Sequence, residues 1–165
     1  MRRPALTDIT IRTELVPGDI GYVVHRHGAL YAREYGYGLQ FEAYVAKGLS
    51  EFMEHYDPKT NKAWICEHAG RMVGFLLLMN RGEAAQLRYF LIEPEYRGIG
   101  LGQRLMSLFM ESLEACRYRS AYLWTTHELS AAAHLYTRAG FTLTEEKPST
   151  AFGKPLMERR YDLKL

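Results

Sequence analysis

Residues 87 to 106, LRYFLIEPEYRGIGLGQRLM, set one arginine, Arg97, directly before three alternating glycines, Gly98, Gly100 and Gly102. An apolar run leads into this segment and a helix-forming run leads out. Glycines let a backbone approach a ligand closely, and a helix that starts there offers unpaired N–H groups and the positive end of its dipole. The Arg97 guanidinium adds a planar fork that matches phosphate oxygens. The spacing therefore suits the holding of a phosphate or pyrophosphate; a strand-to-helix turn that merely packs is the plain alternative for the glycines alone. Two nucleotide readings fail. The residue three after Gly100 is Gln103, and SAYLWTT, the next strand-like run, has no acid for a ribose, so the dinucleotide fingerprint is incomplete. A Walker loop would need Gly-Lys-Ser/Thr, which is missing.

Two further groups stand out by position. His27 and Glu34 interrupt the stripe Ile20, Val23, Val24, Leu30, Tyr31, Tyr35 at helical spacing. A polar side chain facing a core needs a partner or a cavity. Cys66 and Cys116 lie far apart with no CxxC or clustered histidine, so they read as two buried thiols of a reducing compartment, with no metal site. His25, His55, His68 and His127 show no ligand spacing. Ser130, ahead of AAAHLYTRAGF, reads as a helix cap, and His134 as solvated.

The elements that must position these residues follow from periodicity. ITIRTEL, 9 to 15, alternates as a strand; Pro17 opens a helix over 18 to 35; and a second helix carries Phe41, Tyr44, Val45, Leu49, Phe52, Met53 and Tyr56 on one face until Asp57 and Pro58. KAWICEH, MVGFLLLM and AAQLRYFLI are three strands with hairpin spacing. Leu101, Leu105, Leu108, Phe109 and Leu113 mark a third helix, SAYLWTT a strand, SAAAHLYTRAGF a short helix with Gly140 just past its end, and TLTEE and MERRYDLKL two last strands. The order is strand, helix, helix, three strands, helix, strand, helix, two strands. It predicts an α/β fold with a mixed sheet and helices on both faces.

With 165 residues and 47% hydrophobic content, the chain suits one domain, 1–165. Its 21 basic residues are scattered and the net charge is +2, which argues against a nucleic-acid partner. No apolar run approaches the ~20 residues of a membrane span, and MRRPALTDIT lacks a signal-peptide core, so a soluble, cytoplasmic protein without a membrane partner is expected.

The Arg97, Gly100, Gly102 spacing resembles the Q/RxxGxG/A signature of the GCN5-related N-acetyltransferases (GNAT), and the element order is similar to theirs throughout. AAAHLYTRAGF, residues 131 to 141, resembles the family's AxxLYxxxGF segment. HRHGALYAREYG and FGKPLMERRYDLKL resemble the acetyltransferase half of proteins fused behind a MarR-type winged helix. The resemblance implies a GNAT fold with acetyl-CoA as co-substrate, bound where the fourth and fifth strands splay apart. It implies that the backbone of Phe90, Leu91 and Ile92 meets the thioester and pantetheine. Arg97, Gly98, Ile99, Gly100, Leu101, Gly102 and Gln103 would then hold the pyrophosphate. Tyr136 would be the general acid that protonates the departing thiolate, in direct transfer of an acetyl group to a primary amine of a small molecule or peptide. Because the family's first two helices line its acceptor site, His27, Glu34 and Tyr35 become acceptor-site candidates, with Tyr37 as further aromatic wall. If His27 is the base, activity should show a limb near the unperturbed imidazole pKa of about 6.5. Gln86 stands where some members carry a glutamate base. A non-catalytic acyl-CoA-sensing or interaction domain is the alternative function, and since members often pair through terminal strands, a homodimer is an option.

Overall fold

The computed structural model describes residues 2–165. Strand β1 (Thr10–Arg12) is shorter than the predicted 9–15, and Arg12 shows why. Its Nη1 and Nη2 hold the two carboxylate oxygens of Asp19 at 2.7 Å each while its Nε holds Glu67 at 2.5 Å, so the chain must leave the sheet at once to bring Asp19 back. Asp19 opens helix α1 (Asp19–Tyr35), and helix α2 (Leu39–Glu54) follows. Strands β2 (Lys62–His68), β3 (Arg71–Arg81) and β4 (Ala84–Ile92) form an antiparallel meander. Then come helix α3 (Leu101–Ala115), strand β5 (Ser120–Thr126), helix α4 (Ser130–Arg138), and strands β6 (Thr142–Ser149) and β7 (Leu156–Lys164).

The sheet order is β1-β2-β3-β4-β5-β7-β6, and every pairing is antiparallel except β4 with β5. This is the mixed α/β fold expected from the sequence. Alternation along β3 sends Leu76 and Leu78 to one face, with Phe109 of α3 and Tyr136 of α4, and Phe75 and Leu77 to the other, with Leu30 of α1 and Phe52 of α2. Burying each such Leu or Phe contributes about 1.5–3 kcal/mol, so both helical layers are held by the same sheet. Strand β6 runs past TLTEE through Pro148, which a strand at the sheet's edge tolerates because the missing N–H faces no partner.

One irregularity shapes everything that follows. On β3, Phe75 pairs with Leu91 but Leu77 pairs with Arg88, so β4 carries one extra residue, and Tyr89 there takes φ 60. A bulge bends and twists its strand. Next to it β4 leaves β5: the parallel ladder stops at Gln86–Tyr122, three residues before Tyr89, while β5 stays paired with β7 as far as Thr126.

Candidate functional site

The parting of β4 from β5 opens a cavity of about 850 Å³. Its walls bring together most of the residues singled out in the sequence: Phe90, Leu91 and Ile92 of β4, Arg97, Gly98, Gly100, Gly102 and Gln103 of the glycine turn, Tyr136 of α4, and His27, Tyr35 and Tyr37 from the α1 side. From Leu87 onward β4 has no ladder partner on its β5 side, which leaves backbone donors and acceptors turned into the wedge.

Gly98 and Gly100 have φ 75 and 92, backbone that a side-chain-bearing residue adopts only with strain. Gly102 is needed for another reason, because a Cβ there would stand 2.8 Å from Leu135 Cδ1 of α4. The first intrahelical bond of α3 runs from Arg104 N–H to Gly100 O at 3.0 Å, so the amides of Leu101, Gly102 and Gln103 precede it and are free for an anion. Ile99 and Leu101 do not line the cavity; they turn their side chains into the apolar cluster under α3, so only their backbone can serve a ligand.

Arg97 is already engaged. Its Nη1 and Nη2 each donate to a carboxylate oxygen of Glu34 at 2.7 Å, and its Nε donates to Ile92 O at 3.1 Å. The pair holds the Glu34 carboxyl below its usual range and the Arg97 guanidinium above its own. Glu34 is therefore not a cavity residue: it lies on the outer side of α1 and ties that helix to the glycine turn.

His27 is where the stripe put it, facing inward and 2% exposed. Its Nδ1 donates to Val23 O at 2.9 Å, and Nε2 is sealed from solvent with no partner, beside the edge-on ring of Tyr89 at 5.8 Å. Burial pushes its pKa down to about 4, so the ring is neutral at pH 7 and the expected limb near 6.5 does not apply to it. A sealed Nε2 also cannot touch an acceptor amine. Tyr35 and Tyr37 form an aromatic wall with Tyr31 and Phe41, and the Tyr37 hydroxyl, 2.6 Å from Thr126 Oγ1, is pushed up to about 12 by burial.

Tyr136 is 4% exposed, packed among the rings of Phe90, Phe141 and Tyr161. Its hydroxyl has no hydrogen-bond partner among the described residues, and burial keeps the phenol protonated well beyond its ordinary range. Ser130 is the first residue of α4, not its cap; the capping position falls on Leu129, with no side-chain bond, and Ser130 sits on the cavity wall. Cys66 is buried, its thiol pushed up to about 12, but Cys116 is only half-buried, with Sγ against Lys59 O at 3.4 Å. Gln86 is buried and accepts from Arg81 Nε at 2.9 Å.

Sequence reasoning passed over Lys154, whose Nζ reaches Tyr35 O at 2.8 Å and Glu128 Oε2 at 2.9 Å and so pins the β6–β7 connection over the end of α1. It also passed over Arg88, two residues after Gln86 on the same side of β4, which the period of a strand could have revealed.

The model of the acetyltransferase (GNAT) domain family matches residues 59–143, more than half of the chain. The uncharacterized N-acetyltransferase YjgM of Escherichia coli K12 is 29% identical over 97 residues, 56% of this chain and 58% of that one. The chain spans 27 to 58% of the lengths of the curated relatives it matches. Among solved structures, an acetyltransferase from Streptococcus agalactiae superposes with a TM-score of 0.76 at 20% identity, covering 97% of this chain and 100% of that one. The yncA protein of Salmonella typhimurium, solved with its cofactor acetyl-CoA, gives 0.72 at 16% identity over 96% and 94%. At those identities the likeness is one of fold. Among the described residues no helix is long and apolar enough to cross a membrane.

Proposed function

The chain belongs to the GNAT acetyltransferase family, and from that premise we propose that it moves an acetyl group from acetyl-CoA directly to a primary amine of a small molecule or peptide. The observation that carries this reading is the convergence of three features on one cavity: the unpaired stretch of β4, the free amides of the glycine turn, and the side chain of Tyr136.

The residues fit the co-substrate. The turn amides and Arg97 supply donors for a pyrophosphate, and the wedge beside Phe90 to Ile92 supplies backbone partners for an amide-containing arm. When the amine attacks, a C–N bond forms, the C–S bond breaks, and negative charge develops first on oxygen and then on sulfur. Backbone N–H groups of β4 oppose the first. Tyr136 opposes the second by giving its proton to the sulfur and regains one from solvent after transfer; burial keeps its phenol protonated and ready at working pH. Neither Gln86, which cannot accept a proton, nor His27, whose Nε2 is sealed, takes the amine's own proton; solvent in the open cavity, or Glu158 and His134 on its wall, receives it. A lysine-like amine with pKa about 10.4 is neutral only in roughly one molecule in a few thousand at pH 7, whereas an α-amine of pKa about 8 is neutral in about one in ten. Turnover should therefore climb with pH until the acceptor's own pKa is reached.

The test is thiol release from acetyl-CoA with a panel of amines, for the wild type and Tyr136→Phe. A general acid contributes about 10²–10⁴-fold, so the variant should lose at least about 100-fold in kcat while its calorimetric affinity for acetyl-CoA stays the same. Equal turnover by both proteins would remove Tyr136 from the chemistry, and tight cofactor binding without thiol release from any amine would favour an acyl-CoA sensor.

A further inference from the structure

One wall of the cavity carries a charge that forms no ion pair among the described residues. Arg81, Arg97, Arg159 and Arg160 are held by Glu51, Glu34, Glu146 and Asp162. Arg88 is different. It lines the cavity, half-buried, and among the described residues its only hydrogen-bond contact is from Nη1 to Met79 Sδ at 3.8 Å. Two rings hold its guanidinium in place, those of Tyr89 at 4.7 Å and Tyr44 of α2 at 5.3 Å. Gly48 makes room for it, since a Cβ there would lie 2.8 Å from Arg88 Nη2. The Glu51 carboxylate, which feels its field, is taken by Arg81 Nη1 at 2.8 Å. Two arginines thus share one glutamate, and Gln86, which also lines the cavity between them, is neutral. The single acid on the cavity wall among the described residues is Glu158 of β7, across the wedge.

A guanidinium gripped by aromatic faces keeps its edge N–H groups free and fixed in direction, the geometry that binds a carboxylate through two parallel hydrogen bonds. Tyr44 beside it, and Trp124 and Phe152 on the same cavity's wall, offer apolar area, not charge. Resting on the acetyl-transfer reading, we propose that Arg88 is the carboxylate-binding residue of the acceptor site, and that the acceptor is a small amine carrying a carboxylate and an apolar or aromatic body. A polyamine, cationic along its length, meets an unbalanced cation on this wall and is excluded by the same argument.

The experiment compares four amines, phenylalanine, phenylalanine amide, phenethylamine and spermidine, with acetyl-CoA and the wild type, Arg88→Gln and Arg88→Lys. A hydrogen-bonded charge pair lost from a site weakens binding by roughly 10- to 100-fold. Phenylalanine should have a KM lower than its amide by about that factor, and spermidine should be the poorest of the four. Arg88→Gln should erase the difference between acid and amide, Arg88→Lys should restore part of it, and the KM for acetyl-CoA should not move. Equal use of acid and amide by the wild type overturns the proposal whether or not the variants fold, and so does an acid preference that survives in Arg88→Gln. A protein that binds no acetyl-CoA would instead sink the acetyl-transfer reading; calorimetry with N-acetylphenylalanine and its amide then decides the carboxylate site separately, and equal binding of the two overturns it.

Discussion

His27 shows what one buried side chain does to the whole protein. In the unfolded chain an imidazole titrates near about 6.5, and in the folded protein burial holds it near about 4. Above pH 6.5 the ring is neutral in both states and contributes no pH dependence. Between 6.5 and 4 the unfolded chain binds a proton that the folded one refuses, so stability falls as pH falls, by roughly 3 kcal/mol in all; below 4 both states are protonated and the loss stops. The carboxylates of Asp19, Glu34, Glu51 and Asp162, held below their usual range by arginine partners, lose that stabilisation only in stronger acid and leave the upper part of the window to His27. Urea unfolding at pH 6.5 and 5 should show a clear drop for the wild type and little for His27→Gln. At this scale the sequence could mark His27 and Glu34 as anomalies in an apolar stripe and could go no further. Periodicity reports the angle around a helix axis, but the partner of Glu34 lies 63 residues away and the orphaned nitrogen of His27 depends on Tyr89.

Elements were the most legible level. KAWICEH, AAQLRYFLI and SAYLWTT begin and end where strands β2, β4 and β5 do, because each is a dense apolar or alternating run bounded by turn residues. What periodicity could not show is the bulge at Tyr89: an extra residue in one strand is defined only against the register of its neighbour, yet it is this bulge that opens the site. Helical glycines make the same point in energies. Replacing glycine by alanine inside a helix gains about 1 kcal/mol in propensity wherever the new methyl has room. Gly21 on α1 is exposed with nothing within 4 Å of a new Cβ, so Gly21→Ala should raise stability by about 0.5–1 kcal/mol. Gly48 on α2 has the Tyr89 hydroxyl 1.7 Å from the same point. Overpacking of that kind costs about 1–3 kcal/mol, so Gly48→Ala should be destabilised in the same urea titration, and its pocket should bind acceptor less well because Tyr89 and Arg88 are pushed from their places.

At the scale of the molecule, the Arg97–Glu34 pair joins the first helix to the turn proposed to hold the pyrophosphate, so a ligand that takes Arg97 would act on α1 through the same guanidinium. If the pyrophosphate takes Arg97, it must displace Glu34 from those two hydrogen bonds. Arg97 is 43% exposed, and an ion pair so open to water is worth at most about 1 kcal/mol. Glu34→Gln, which leaves the arginine unclaimed, should therefore tighten acetyl-CoA by roughly two- to five-fold, while Arg97→Gln should weaken it. Thermal unfolding reads both. A ligand at 100 times its Kd stabilises by about 2.7 kcal/mol, which for a chain of this length is a rise of roughly 5–10 °C. The concentration of acetyl-CoA giving half that rise should fall in Glu34→Gln and climb in Arg97→Gln. If it were unchanged in Glu34→Gln, Arg97 would keep its carboxylate in the complex, the pyrophosphate would rest on the turn amides alone, and α1 would be locked to the turn in both states.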